Sequence, residues 1–325
     1  MIDIRDVKAA AARLDGIAVK TPLIRSHALD EAAGGSVFVK PECLQVTGSF
    51  KIRGAYNFLS QLTPDEAQRG VVTFSSGNHA QGVAAAGAML GIRTTIVMPE
   101  DAPRAKLENT RRLGGEVITY DRYTGDREAI ARSIAAERGA VVVPSYDHEW
   151  IIAGQGTVGL EIARDLESLG IAPDRVLVNC GGGGLVAGSA TALKAVFPNV
   201  SVHTVEPQEF DDTARSLVSG KRETVADDAR SICDALQAHT PGKLTFEINR
   251  RLLSEGLAVT DAQVRAAMRF AFRHLKLVVE PGGGAALAAL LAGTVATRGK
   301  TTVVVISGGN VDLDLYAEIQ REGSG

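Results

Sequence analysis

With 325 residues, 45% of them hydrophobic and 22% charged, and a formal net charge of −3, the chain has the composition of an ordinary globular protein with room for a sizeable core and for two domains. The near-neutral balance excludes the strongly basic face of a nucleic-acid binder, and no apolar run of membrane-spanning length is free of charges or glycine clusters. Cys43, Cys180 and Cys233 are odd in number and widely spaced, and the first residues lack a signal-peptide pattern, so reduced thiols and a cytoplasmic setting are expected.

Ile4 to Leu14 has the spacing of a short amphipathic helix, and Thr21-Pro22-Leu23 ends that stretch, because proline removes a donor and restricts the residue before it. Val37-Phe38-Val39 reads as an apolar strand, Gly48 breaks the chain, and Ile52 to Leu59 returns to helical spacing. A regular alternation then begins. Strands are predicted at 71–74, 94–98, 116–120 and 140–144, with helices at about 78–90, 105–113 and 125–138 between them. This βαβαβαβ order at short spacing specifies a parallel sheet. A helix through Gly159 to Leu169 follows, then strand 176–179, a helix to Phe197 and strand 201–205. From Pro207 to Thr245 the pattern loosens into charges and turn residues. A helix at 261–275, with Thr260 and Asp261 as candidate caps, a small-residue helix at 282–292 and an apolar strand at 301–306 complete the chain. The natural division is a small domain at 71–147 inserted into a larger one made of 1–70 and 148–325. No long segment follows the last helix, so an appended regulatory domain with feedback inhibition is not expected.

Five stretches carry chemistry-bearing residues. Lys51 lies in Thr47-Gly-Ser-Phe-Lys-Ile-Arg-Gly-Ala55, just past a sharp turn at a helix start. By itself it is a lysine in a surface helix's first turn. Partial burial would lower its pKa and suit the amine to imine chemistry with a carbonyl. Ser75-Ser76-Gly77-Asn78-His79 follows a strand and opens a helix, where backbone N–H groups can hold a carboxylate or phosphate. Gly181-Gly182-Gly183-Gly184-Leu185 lets backbone amides crowd round an anion at a helix N-terminus. A mere turn would not need four glycines, which cost conformational entropy, and the run fits a dinucleotide fingerprint only loosely. Ser307-Gly308-Gly309-Asn310 follows the last strand, where open α/β sheets present groups to a ligand crevice. Glu206 to Asp212 reads either as a solvated acidic loop or as oxygen ligands for a hard cation.

Taken together, and in this order, these motifs resemble the fold-type-II pyridoxal-phosphate enzymes, in the branch of serine/threonine dehydratases, serine racemase and 3-hydroxyaspartate dehydratase; the likeness runs through nearly the whole chain. It implies two open parallel-sheet α/β domains with the cofactor, pyridoxal 5'-phosphate, in the cleft between them. It assigns Lys51 as the imine lysine beside Phe50, Asn78 as partner of the ring hydroxyl, Gly181, Gly182, Gly183, Gly184 and Leu185 as the phosphate cradle, and Ser307 as partner of the pyridine nitrogen. A serine there, unlike a carboxylate, leaves the ring a weaker electron sink, which favours direct elimination. Ser75, Ser76, Gly77, Asn78 and His79 are implied to bind substrate, with Ser76 also a second acid/base opposite Lys51. The branch's divalent-cation site (Mg2+, Mn2+ or Ca2+) is matched by Glu206, the Phe210 carbonyl and Asp212. Arg127 resembles an arginine that reaches a substrate's second carboxylate, and Tyr146 sits where a residue near the ring is expected. Asn179 and Cys180 stand where proline and an aliphatic are commoner. The implied activity is dehydration and deamination of serine, threonine or 3-hydroxyaspartate to a 2-oxo acid and ammonia, with serine racemase or a bifunctional enzyme as alternative and a homodimer as the expected state. A nucleotide binder using the glycine loop leaves Lys51 unexplained, and a non-catalytic binder of the same cofactor leaves the other groups so.

Overall fold

The computed structural model describes residues 1–322 other than 76, 103, 122 and 123. Its strands are β1 (Ile24–Arg25), β2 (Ser36–Pro41), β3 (Val71–Phe74), β4 (Thr94–Pro99), β5 (Glu116–Tyr120), β6 (Val141–Val142), β7 (Arg175–Asn179), β8 (Ser201–Pro207), β9 (Glu255–Val259) and β10 (Thr301–Ile306). They form a six-stranded sheet in the order β1-β2-β10-β7-β8-β9 and a four-stranded sheet in the order β5-β4-β3-β6. Every pairing is parallel except β1 with β2. The helices between successive strands supply the crossovers that parallel pairing needs.

Strand β10 lies at the centre of the larger sheet, and its alternating side chains feed two separate cores. Val304 and Ile306 pack with Val37, Val39 and the helix Pro281–Leu291 on one face. Val303 and Val305 pack with Phe38, Val176, Val178 and the helices Glu149–Ser168 and Gly184–Val196 on the other. A strand buried on both faces reads as a continuous apolar run, as this one does. The helix Lys51–Leu59 shares a core with the smaller sheet, where Ile52, Ala55 and Phe58 meet Val71, Val83 and Val143.

Several elements differ from expectation. The helix Glu149–Ser168 begins ten residues before Gly159, the first residue assigned to it from sequence. Gly154, Gly156 and Gly159 look like breakers but are contact points: a Cβ on Gly154 would stand 2.6 Å from Arg53 O, and one on Gly159 would stand 2.5 Å from Ser189 O. The loosely patterned stretch after Pro207 contains the helix Asp212–Ser219, and it leads into the helix Lys243–Leu252 and the edge strand β9. The helix beginning at Asp261 ends at Phe270 and continues as a π-turn over Ala271–Leu275. Thr260 is its cap, in a capping box with Gln263, while Asp261 instead accepts from Ser231 Oγ and Ile232 N.

Candidate active site

The segment before Lys51 and the segment after β10 are zipped together. Ser49 bridges to Gly308, Phe50 N donates to Ser307 O at 3.2 Å, and Gly309 N donates to Gly48 O at 2.9 Å. Gly48 has φ +71°, and a Cβ there would stand 2.5 Å from Asn310 Oδ1, so glycine is required both by conformation and by space. Lys51 then opens its helix, wedged between two others. A Cβ on Gly82 would stand 3.0 Å from the Lys51 carbonyl carbon, so that glycine lets the helix Asn78–Leu90 approach closely. Two residues on, the buried Arg53 anchors the same helix. Its guanidinium takes both oxygens of buried Glu42 at 2.8 and 2.9 Å and both of Glu161 at 2.6 and 2.9 Å.

Lys51 Nζ donates to Ser145 O at 3.0 Å and lies 5.3 Å from the Phe50 ring centroid. Burial lowers its pKa to about 8, and the nearby Glu280 carboxylate opposes that shift. His79 lies beneath: its Nε2 is 3.4 Å from Val143 O, and burial, with the Lys51 charge, lowers its pKa to about 3, so it is neutral. Gly77 caps the helix Asn78–Leu90, and its N–H donates to Ser75 Oγ at 3.2 Å. The N–H groups of that helix's first turn have no acceptor within the helix, which suits the site to an anion. Ser76 lies outside the described residues.

The glycine loop leaves β7 and enters the helix Gly184–Val196 at Gly184 and Leu185, beneath Tyr146. A Cβ on Gly182 would stand 2.4 Å from the Tyr146 ring, and Gly183 has φ +94°. Gly182 O accepts from Thr245 Oγ1 at 2.7 Å. Thr245 is itself placed by Asp147, whose carboxylate accepts from Lys243 N, Leu244 N and Thr245 N at 2.9, 2.9 and 3.1 Å and so caps the helix Lys243–Leu252. Burial, then the charges of Asp147 and Asp212, raise the Tyr146 pKa, while Arg222 and Arg127 pull it down. Ser307 is buried at the end of β10, in hydrogen-bond contact with Asn179.

Glu206, next to last in β8, has Thr213 N and Ala214 N on its two oxygens at 3.0 and 2.8 Å. Both oxygens of Asp212 are buried without a hydrogen-bond partner. Burial raises both carboxyls, and the Asp212 charge raises Glu206 further. The Phe210 ring packs with Val225 and Ala229, so its backbone carbonyl oxygen is the group suited to a cation. Two carboxylates and a carbonyl make an oxygen donor set suited to a hard cation. Arg127 starts the helix Arg127–Arg138 with its guanidinium 5.8 Å from the Phe74 ring at the end of β3, and is exposed.

Glu280 went unread in the sequence. It is buried, accepts from Asn78 Nδ2 at 2.6 Å, and Asn310 Nδ2 donates to Asn78 Oδ1 at 2.7 Å. Burial and the Asp234 charge raise the Glu280 pKa to about 8. The one signal for it was a lone acid in the apolar run Leu277–Leu291. Asn249 was also missed. It is fully buried beside Gly183, and neither of its amide atoms has a partner.

A half-buried lysine of lowered pKa, a loop whose Gly182 and Gly183 admit no side chain, an unpartnered amide beside that loop and a hydroxyl at the end of β10 fit pyridoxal phosphate: an amine for its aldehyde, amides for its phosphate and a hydroxyl for its ring. The comparisons with known proteins agree. An L-threo-3-hydroxyaspartate ammonia-lyase from Pseudomonas sp is 45% identical over 97% of this chain and 98% of its own. A serine racemase from Schizosaccharomyces pombe is 40% identical over 96% and 95% of the two chains. The crystal structure of a T.th. threonine deaminase superposes with a TM-score of 0.90 at 39% identity, over 96% of this chain and 99% of that one. The family model described as pyridoxal-phosphate dependent enzyme matches residues 15–308, and the chain belongs to that family.

Proposed function

We propose that the protein is an ammonia-lyase that dehydrates a 3-hydroxy amino acid, with 3-hydroxyaspartate the preferred member of a class that includes serine and threonine. The products are a 2-oxo acid and ammonia. The observation that carries this reading is the Lys51 amine, half-buried and with its pKa lowered to about 8, at the meeting point of the glycine loop, the Asn78 helix and the end of β10. Similarity to the hydroxyaspartate ammonia-lyase supports the substrate class.

Pyridoxal phosphate supplies an aldehyde for the substrate amine and a conjugated ring that accepts the electron pair left by the α-proton. The chain's residues do the rest. Gly181–Gly184 and Leu185 hold the phosphate, Asn78 the ring hydroxyl and Ser307 the ring nitrogen. Ser75, Gly77, Asn78 and His79, with the N–H groups of the helix start, hold the substrate carboxylate. Neutral His79 leaves Lys51 as the basic group there, and Lys51 Nζ takes the α-proton. Tyr146, over Gly182, covers the phosphate end of the site. Arg127 takes a second carboxylate at the mouth of the site, which favours a dicarboxylic substrate.

Glu206, Asp212 and the Phe210 carbonyl hold a divalent cation, Mg2+ first; the partnerless buried oxygens of Asp212 support this. The division into a small domain at 71–147 and a large one from the rest is part of the same reading. Exposed Leu44 and Val278, which adjoin Cys43 and Gly309, suit a homodimer contact. The three cysteines are free, and no helix among the described residues is long and apolar enough to cross a membrane; both suit the cytoplasm.

A second reading, serine racemase or a bifunctional enzyme, is favoured by the 40% identity to the S. pombe enzyme. It needs Ser76 as acid on the face opposite Lys51. Incubating the loaded protein with L- and D-serine, L-threonine and both 3-hydroxyaspartate diastereomers separates the two. Oxo-acid release, fastest from an L-3-hydroxyaspartate, is the expected result. Loss of optical rotation without oxo acid would make it a racemase, and no turnover of any of them would overturn both readings.

A further inference from the structure

Asn179 is buried at the end of β7, one residue before the glycine loop. Four neighbours orient its amide. Oδ1 accepts from Ala286 N at 2.5 Å. Nδ2 faces Gly283 O at 2.9 Å, Val305 O at 3.2 Å and Ser307 Oγ at 2.9 Å. A backbone N–H can only donate and a carbonyl can only accept, so the amide has one allowed orientation and no flipped alternative. Nδ2 has no lone pair to offer. Its two hydrogens go to the two closer acceptors, Gly283 O and Ser307 Oγ, with Val305 O the longer, shared contact, so at this contact Ser307 is the acceptor and its own proton points elsewhere. Among the described residues no hydrogen bond runs from the Ser307 hydroxyl to another protein group.

We infer that Asn179 is a positioning residue: it occupies a lone pair of Ser307 Oγ, so that the hydroxyl proton is donated to the cofactor's pyridine nitrogen and that nitrogen stays unprotonated. A hydroxyl free to turn could offer the nitrogen either a proton or a lone pair. Asn179 removes that choice, and it does so from a rigid seat, since the same amide ties β7 to the helix Pro281–Leu291 and to β10. The inference rests on the reading of Ser307 as the ring nitrogen's partner.

The test uses the holoenzyme loaded with pyridoxal phosphate carrying 15N in its ring. In the wild type the ring nitrogen is expected to resonate as a hydrogen-bonded, unprotonated pyridine at both pH 7 and pH 9; a pyridinium resonance overturns the inference. In Asn179→Asp the carboxylate accepts the Ser307 proton, the hydroxyl turns round, and the resonance is expected to move to the pyridinium position; an unchanged resonance counts against the idea. Asn179→Asp sets an oxygen against two carbonyls and can fail to fold, so a second measurement stands beside it. Asn179→Ala, Ser307→Ala and the double variant form a cycle read as the dissociation constant for pyridoxal phosphate. Asn179→Ala is expected to weaken binding about five-fold when Ser307 is present and less than about two-fold when it is absent. Equal weakening in both backgrounds would make Asn179 a packing residue only. If Ser307→Ala alone leaves both affinity and ring resonance unchanged, the assignment of Ser307 fails first, and the role of Asn179 falls with it.

Discussion

Glu280 Oε1 accepts a 2.6 Å hydrogen bond from Asn78 Nδ2, joining the first residue of the helix Asn78–Leu90 to the cap of the helix Pro281–Leu291, two helices that flank different sheets. A Cβ on Gly308 would stand 2.1 Å from the same Glu280 oxygen, so the glycine after Ser307 is what admits this carboxyl to the site.

Burial, then the Asp234 charge, raise the Glu280 pKa from an ordinary 4.5 to about 8, against the opposing pull of Asn78, Lys106 and Lys51. Between those two values the folded protein holds a proton that the unfolded chain has released, so this group's contribution to stability falls as pH rises through the window. Glu280→Gln has no such proton. In thermal melts of cofactor-free protein, the variant is expected to gain on the wild type steadily from pH 5 to pH 8. A constant difference across that range would show that Glu280 is not protonated in the fold. Glu280→Ala leaves Asn78 Nδ2 unpaired and is expected to be about 1–3 kcal/mol less stable than Glu280→Gln at each pH.

Lys51 has its pKa lowered to about 8 from an ordinary 10.5. In the cofactor-free protein an acylating reagent is expected to label Lys51 with a half-maximal rate near pH 8, well below the ordinary lysine value of 10.5. Peptide mapping by mass spectrometry reads every lysine in one experiment. A Lys51 midpoint coincident with the surface lysines would mean that the amine is solvated.

Arg127→Ala is expected to lower kcat/KM for 3-hydroxyaspartate by about 10- to 100-fold, the scale of a charge-assisted pair. The value for serine is expected to change less than about three-fold, since serine has no second carboxylate and loses no such pair. Equal losses on both substrates would assign Arg127 to the fold of the helix Arg127–Arg138 instead.

Asp212 and Glu206 place two carboxyls in a buried setting with no hydrogen-bond partner on the two Asp212 oxygens. Dialysis against a chelator is expected to lower the melting temperature by about 5 °C, and Mg2+ or Ca2+ to restore it. Asp212→Asn should make the protein indifferent to both treatments. A wild type that melts identically with and without chelator would leave the site as a proton-sharing carboxyl pair.

The four strand-end motifs were legible because each joins a local turn signal to an apolar run, and Lys51, Asn78, the glycine loop and Ser307 do meet at one place. Glu280 and Asn179 were not legible as site residues. Their roles lie in contacts to Asn78 and Ser307 across 202 and 128 positions of sequence, and the local signals, a lone acid in an apolar run and an asparagine before the glycines, do not name those partners. The start of the helix Glu149–Ser168 was hidden for a related reason: Gly154 and Gly159 are glycine because other backbones press on them, a demand set by Arg53 and Ser189 rather than by the helix itself. The same holds for the helix Asp212–Ser219, whose first turn is held by Glu206 from the preceding strand.

The most direct measurement is borohydride reduction of the protein loaded with pyridoxal phosphate, followed by peptide mapping. A pyridoxyl group on Lys51, together with loss of the visible absorption band and of the reduced adduct in Lys51→Ala, is the predicted result. A protein that binds no pyridoxal phosphate, or that carries the adduct on another lysine while Lys51→Ala retains turnover, would contradict the account.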